Sequence, residues 1–203
     1  LKILLTGSAS GVGQQLNQLL TNAGHNVVAL TRTQLNLAAI NDVTAFTAGP
    51  VDMLINCAGT DIGGKIDFCN HQISDIVDIL NTNLVAPVIL CHTVLKANSV
   101  CKIVNITSTN NNRYWPNDLA YSLSKKSLEE LGRMLCVEYP ALSYLEVRLG
   151  LTRTNFNQSR YKNDPERFVD LYESNRYQTA TEAAERIVNV LFDSNIKFIE
   201  ISP

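Results

Sequence analysis

Charge of either sign is nowhere in excess: 17 Lys and Arg stand against 19 Asp and Glu, leaving a formal net charge of -2. So close a balance gives no electrostatic footprint for nucleic acid or an anionic membrane surface, and neither is expected as a partner. Cysteine is sparse and scattered. Cys57, Cys69, Cys91, Cys101 and Cys136 include no pair two residues apart, and His25, His71 and His92 stand at no zinc-ligand spacing. Neither a disulfide framework nor a metal knuckle is signalled, a reducing cytoplasm is the expected compartment, and the histidines read as structural or surface residues. Long apolar runs are missing too, and Leu1 opens directly into a strand-like stretch without a basic-then-apolar leader, so a soluble chain is expected. There is no internal repeat, low-complexity tract or interdomain linker. What is present is a chain of 203 residues, 45% hydrophobic, which suits one domain, 1–203, with a core of its own.

Apolar residues recur with two periods. Residues 2–6 form a short apolar run closed by Gly7, and residues 11–23 then bring Val12, Leu16, Leu19 and Leu20 to one helical face. Residues 26–31 read as a second buried strand, 35–37 as a short third and 52–56 as a fourth, with a helical stretch at 40–47 between the last two. Spacing is helical from 73 to 97, where the interior Pro87 predicts a distortion near Asn81 to Asn83. A strand at 100–106, a helix at 119–138, a strand at 144–149, a helix at 181–192 and a strand at 196–201 continue the alternation. Strands apolar on both faces, alternating with helices, predict an α/β chain with a three-layer Rossmann fold. Its doubly wound parallel sheet would have about seven strands, ordered 3-2-1-4-5-6-7. Residues 152–165, rich in Asn, Gln, Arg and Tyr, show no clear period and read either as a lid or binding loop or as a disordered surface excursion.

The segment TGSASGVG sets Gly7, Gly11 and Gly13 between the first strand and the first helix. A tight turn there needs positive φ, and a pyrophosphate resting on N–H groups at a helix N-terminus needs backbone unscreened by Cβ atoms. Glycine-rich turns also close strand onto helix with no ligand. The place of this one, opening a βαβ series, points to a dinucleotide held by Thr6, Gly7, Ser8, Ser10, Gly11, Val12 and Gly13. At the end of the second strand the chain reads Leu30, Thr31, Arg32, Thr33, with no carboxylate for the ribose hydroxyls of NAD. The Arg32 guanidinium suits a 2′-phosphate, so NADP(H) is expected in preference to NAD(H).

Further motifs follow in order: Asn56-Cys57-Ala58-Gly59 after the fourth strand, Asn83, Ser108 after the fifth strand, and Tyr121 to Lys125 (YSLSK). Over nearly its whole length the chain resembles a classical short-chain dehydrogenase/reductase. Tyr121 and Lys125, four apart on an expected helix, project from one face, where an ammonium lowers the pKa of a phenol by favouring the phenolate. Tyr121 would then protonate an alkoxide formed by hydride transfer or take the proton back in oxidation, while Ser108 hydrogen-bonds the substrate oxygen. The resemblance further implies that Lys125 grips the nicotinamide ribose and that Asn83 holds a water linking Lys125 to solvent. It assigns the cofactor to Asn56, Ala58 and Gly59, to Asn36 and Leu37 at the adenine, and to Gly150 and Thr154 on the nicotinamide side. A homodimer or homotetramer is implied as well, through the helices at 73–97 and 119–138.

Four features depart from the family pattern. Asn36 replaces an expected Asp, Leu149-Gly150 replaces Pro-Gly, Thr109 and three Asn follow Ser108 in place of small residues, and the chain is short after the second strand and at its C-terminus. The asparagines point to a polar substrate mouth. Arg113, Tyr114, Trp115, Phe156, Arg160 and Tyr161 are the candidates to line it, for a polar or anionic carbonyl compound. Two rivals use the same scaffold: a non-catalytic NADP sensor, and an epimerase or dehydratase of nucleotide sugars. The joint presence of Ser108, Tyr121 and Lys125 counts against the first, and the glycine spacing against the second.

Overall fold

The computed structural model describes residues 1–112 and 114–203. Six strands form one parallel sheet: β1 (Lys2–Thr6), β2 (Asn26–Leu30), β3 (Met53–Asn56), β4 (Lys102–Ser108), β5 (Tyr144–Leu149) and β8 (Phe198–Ile201). Their order is β2-β1-β3-β4-β5-β8, each pair parallel. Two short strands, β6 (Thr152–Arg153) and β7 (Gln178–Thr179), pair separately.

Alternation along each strand divides the core. Ile3, Leu5, Met53, Ile55, Val104, Ile106, Leu145 and Val147 face α1 (Gly11–Asn22) and α8 (Ala180–Leu191), which add Leu16, Leu20, Ile187 and Leu191. The intervening Leu4, Leu54, Ile103 and Tyr144 face the other way, toward α2 (Ile40–Ala45), α4 (Ala86–Ala97) and α5 (Leu119–Glu138). Side chains on a strand point alternately to opposite faces, so a run apolar at every position requires helices on both sides, the three-layer arrangement expected of it. Each fully buried Leu or Ile contributes roughly 1.5–3 kcal/mol relative to exposure.

The expected third strand is absent. Leu35 N–H donates to the Thr31 carbonyl at 3.0 Å, Thr31 N–H donates to Gln34 Oε1 at 2.9 Å, and the Asn36 side chain accepts from Ala38 N–H at 3.2 Å. These turn contacts consume the backbone that a ladder needs. Leu35 and Leu37 are buried all the same, as anchors of a loop in the core beneath β2. The sheet therefore has six strands, in the expected order less that one.

The helix expected at 73–97 is α3 (Ile73–Leu80), a π-helical turn (Asn81–Val85) and α4. Pro87 has no N–H to donate to the Asn83 carbonyl, and the wider turn falls where that bond is lost. The whole run is long and apolar enough by length and composition to cross a membrane. Here it packs Ala86, Leu90, Cys91 and Val94 against the sheet.

Residues 152–165 are ordered, contrary to the expected loop: β6, then α6 (Asn155–Arg160), then the start of α7 (Pro165–Glu173). Asp164 caps α7 by accepting from Arg167 N–H at 3.0 Å, with Pro165 at the first turn where no N–H is missed. In α6, Asn157 Nδ2 donates to the Thr152 carbonyl and to Tyr172 Oη, both at 3.0 Å. These cross-links tie the segment to β6 and to α7, which residue spacing along the chain does not reveal.

Candidate active site

A cavity of about 740 Å³ opens at the carboxyl ends of β1, β3, β4 and β5, lined by Gly7, Gly11, Gly59, Ser108, Tyr121 and Lys125 among others. Open parallel sheets bind ligands at that edge.

At its floor, Gly7 turns the chain at φ +75, and a Cβ on Gly13 would stand 2.2 Å from the Gly7 carbonyl oxygen. The turn and the first helical turn of α1 are therefore packed backbone to backbone, leaving no room for a side chain. Ser10 begins α1 without capping it, so its hydroxyl is not spent on the helix's own N–H groups. Ser8 Oγ is buried with no partner in the protein. Uncapped donors and a Cβ-free floor fit the pyrophosphate of a dinucleotide. Gly13→Ala is expected to lower the melting temperature and abolish saturable NADPH binding. The clash of about 1–3 kcal/mol outweighs the roughly 1 kcal/mol that Ala gains over Gly in a helix, and thermal melts with calorimetric titration check it.

Most sequence-expected cofactor residues line this cavity: Thr6, Gly7, Ser10, Gly11, Val12, Gly13, Arg32, Asn36, Leu37, Ala58, Gly59, Gly150 and Thr154. Thr6 also organises the next loop, its Oγ1 accepting from the Cys57 and Ala58 N–H groups at 3.1 Å each. Gly59 leaves space that Lys125 fills, since a Cβ there would meet Lys125 Nζ at 3.3 Å and Asn83 Oδ1 at 3.7 Å. Three expected residues do not line the cavity. Asn56 pairs in register with Asn105 and donates to its Oδ1 at 2.9 Å, a bond across the sheet interior. Ser8 is buried and absent from the lining. Asn83 clasps the Thr60 main chain, accepting from its N–H at 2.8 Å and donating to its carbonyl at 2.9 Å, and donates to Ser124 Oγ at 3.0 Å. Its side chain thus fixes the loop after Gly59 to α5 and has no amide hydrogen left for a water.

Ser108, Tyr121 and Lys125 do converge. Ser108 ends β4, Tyr121 and Lys125 lie on the buried face of α5, and all three line the cavity. Lys125 Nζ donates to the Ile106 carbonyl at 2.9 Å. Burial pushes the ammonium down to about 8, with Cys57 opposing. The cation facing the phenol, however, is not Lys125. Arg160 from α6 lays its guanidinium 4.7 Å from the Tyr121 ring centroid. Burial pushes the phenol up to about 12, and the Arg160 charge, then the Ser108 hydroxyl, work against that.

Arg160 belongs to a buried charge cluster that residue spacing had not revealed. Its Nη2 contacts Asp118 Oδ1, and its Nε stands 2.9 Å from Asp61 Oδ2. Asp118 also accepts from Asn110 Nδ2 at 2.6 Å and Ser122 Oγ at 3.0 Å, and lies 3.9 Å from Lys65 Nζ. Burial pushes the Asp61 carboxyl up to about 7, Arg160 opposing and Asp118 reinforcing. Burial also works against charge on Arg160, but Asp118 and Asp61 together hold the guanidinium charged.

Of the expected mouth residues, Trp115, Phe156, Arg160 and Tyr161 line the cavity, whereas Tyr114 is exposed with Lys126 over its ring at 4.7 Å. Arg113 lies outside the described residues. The polar mouth is met in part: Thr109 and Asn110 line the cavity, while Asn111 and Asn112 do not. Asn110 is bound to Asp118, Asn111 Nδ2 donates to Glu129 Oε2 and the Lys125 carbonyl, and Asn112 Nδ2 donates to Glu200. His25, His71 and His92 lie away from the cavity lining.

The short chain dehydrogenase family profile matches residues 38–165. A 3-ketodihydrosphingosine reductase of Bacteroides thetaiotaomicron is 31% identical over 157 residues, 67% of this chain and 57% of that protein. The matched segments span little more than half the length of the first curated relatives. Among solved structures, the closed form of a serine dehydrogenase complexed with NADP+ superposes with a TM-score of 0.83 at 20% identity, covering 100% of this chain and 95% of that one. A 4-hydroxyisoleucine dehydrogenase complexed with NADH gives 0.82 at 21% identity, covering 99% and 96%. The chain belongs to the short-chain dehydrogenase/reductase family.

Proposed function

We propose that this protein is an NADP-preferring oxidoreductase that reduces a ketone or aldehyde, or oxidises the corresponding alcohol, with Tyr121 as proton donor and acceptor. The observation that carries the reading is the meeting of Ser108, Tyr121 and Lys125 in one cavity with the glycine turn. A nicotinamide dinucleotide, when bound, supplies or accepts the hydride. Thr6 to Gly13 would hold its pyrophosphate, Asn36 and Leu37 its adenine, and Lys125, steadied by the Ile106 carbonyl, its nicotinamide ribose. Ser108 positions the substrate oxygen beside the phenol, and Tyr121 delivers its proton to that oxygen as negative charge develops. Phe156, 5.5 Å from the Tyr121 ring, and Arg160 cover the phenol and exclude water from it.

Arg32 stands exposed on the cavity rim at the end of β2, where a 2′-phosphate would meet it. Calorimetry is expected to show NADPH binding at least about tenfold tighter than NADH, and Arg32→Asp is expected to reverse the order. Tighter NADH binding by the wild type would overturn the preference. Following NADPH absorbance against a panel of carbonyl compounds tests the activity itself; binding without any turnover would favour a sensor. Exposed apolar side chains on α5, Leu123, Met134 and Val137, support a homo-oligomer. The free cysteines support a cytoplasmic location.

A further inference from the structure

Lys65 and Arg160 both line the cavity beside Tyr121, while their carboxylate partners Asp61 and Asp118 lie behind them, off the cavity wall. Both cations are nearly enclosed, with side-chain exposures of 9% and 8%. Lys65 Nζ faces the Trp115 ring at 5.6 Å, and Arg160 spans Tyr121 and Phe156. The cluster leaves donors unspent. A guanidinium has five N–H donors and an ammonium three. Asp118 Oδ1 takes Nη2 of Arg160, while Oδ2 is already occupied by Asn110 and Ser122 and stands from Lys65 Nζ at an ion-pair distance too long for a hydrogen bond. Arg160 Nε and Asp61 Oδ2 lie close but misaligned, so that each is a buried polar atom without a hydrogen bond. Two cations thus present donors to the cavity and are held there by carboxylates that do not compete for it.

We propose that Lys65 and Arg160 form a carboxylate-receiving subsite beside Tyr121, which makes the substrate a short oxo- or hydroxy-acid whose carboxylate lies close to the reacting carbon. The inference rests on the reading of Tyr121 as the proton donor to that carbon's oxygen. A planar guanidinium fork matches a carboxylate through two parallel hydrogen bonds, and Lys65 adds a point charge. Closeness to the reacting carbon follows from the guanidinium standing directly on the Tyr121 ring. Asp61 and Asp118 keep Arg160 in place when the subsite is empty, so binding costs little reorganisation.

Trp115 is the one tryptophan of the chain and lies at this subsite, so its fluorescence reports occupancy. Titrating the NADP+-loaded protein with short 2-oxo and 3-oxo acids, and with their amides, is expected to give a saturable change with the acids alone, weakening as salt is raised. Lys65→Gln and Arg160→Gln are each expected to weaken it about tenfold or more, with Lys65→Arg restoring most of the loss. Amides binding as well as acids, or acids binding the variants as well as the wild type, would overturn the subsite. If a variant fails to fold, the acid-to-amide comparison in the wild type decides alone. NADPH turnover on the same compounds separates the two readings. Acids that bind but are never reduced would leave the subsite standing and remove the oxidoreductase; neutral carbonyls reduced while acids do not bind would do the reverse.

Discussion

Tyr121→Phe is expected to lower kcat/KM for carbonyl reduction by about 10²–10⁴, the usual contribution of a positioned general acid. The variant keeps the ring and with it the contacts to Phe156 and Arg160, so the cavity wall survives and only the proton is lost. NADPH binding should be little changed, because the glycine turn and β2 lie away from the phenol oxygen. Ser108→Ala is expected to cost about 10² through loss of one donor to the developing charge. The pH response follows the same ionisation. Reduction uses the neutral phenol, and with the Tyr121 pKa pushed up to about 12 the neutral form persists through the neutral range, so a decline in rate belongs to strongly alkaline pH. Arg160→Gln removes a charge that favours the phenolate and should move that decline further up. NADPH absorbance across a pH series measures both effects, and turnover by Tyr121→Phe within tenfold of wild type would take the residue off the proton path.

The layered fold was legible because the sheet strands carry consecutive apolar residues, and only helices on both faces can cover them. A distortion near Asn81 to Asn83 was legible from Pro87 alone, since a missing N–H has a local consequence; that it takes the form of a π-helical turn was not. Leu35 and Leu37 misled for an equally local reason: an apolar, polar, apolar triplet looks the same whether it is a strand or a loop that drops two anchors into a core. Thr31 and Gln34 decide between them through hydrogen bonds that a periodicity does not register. Asn56 misled through register. The motif that contains it points to the cofactor, but its side chain alternates inward to meet Asn105 on the neighbouring strand. The Tyr121, Ser108 and Lys125 constellation was readable because motif order along the chain stands in for proximity. Asp61, Asp118 and Arg160 have no such order. They come from three separate loops and helices, and only the folded α6 brings the guanidinium between the carboxylates. The visible signals were an Asp directly after Asn-Cys-Ala-Gly-Thr and an Asp just before α5, neither informative without its partner.

Asp118→Ala is expected to be the most destabilising single substitution around the cavity. The Asp118 carboxylate is fully enclosed and meets Arg160, Lys65, Asn110 and Ser122 together. Removing it leaves two buried cations facing each other with only Asp61 between them, and Asp61 is itself driven toward its neutral form by burial. Breaking a buried ion pair from one side costs about 3–5 kcal/mol, which for a chain of this size lowers the melting temperature by roughly 6–20 °C. Asp118→Asn retains an acceptor for Ser122 and the shape of the site but not the charge, so it should fall between Asp118→Ala and wild type. Adding Lys65→Met to Asp118→Ala removes one of the two stranded cations and should recover part of the loss. That non-additivity separates electrostatic stranding from the simple emptying of a cavity, which Lys65→Met would not repair. Thermal melts of wild type, Asp118→Ala, Asp118→Asn, Lys65→Met and the double variant measure it. A Tm for Asp118→Ala within about 2 °C of wild type would mean that the cluster is not what holds Arg160 over Tyr121. The guanidinium would then have to be steadied by its ring contacts alone, each of which contributes only about 0.5–2 kcal/mol.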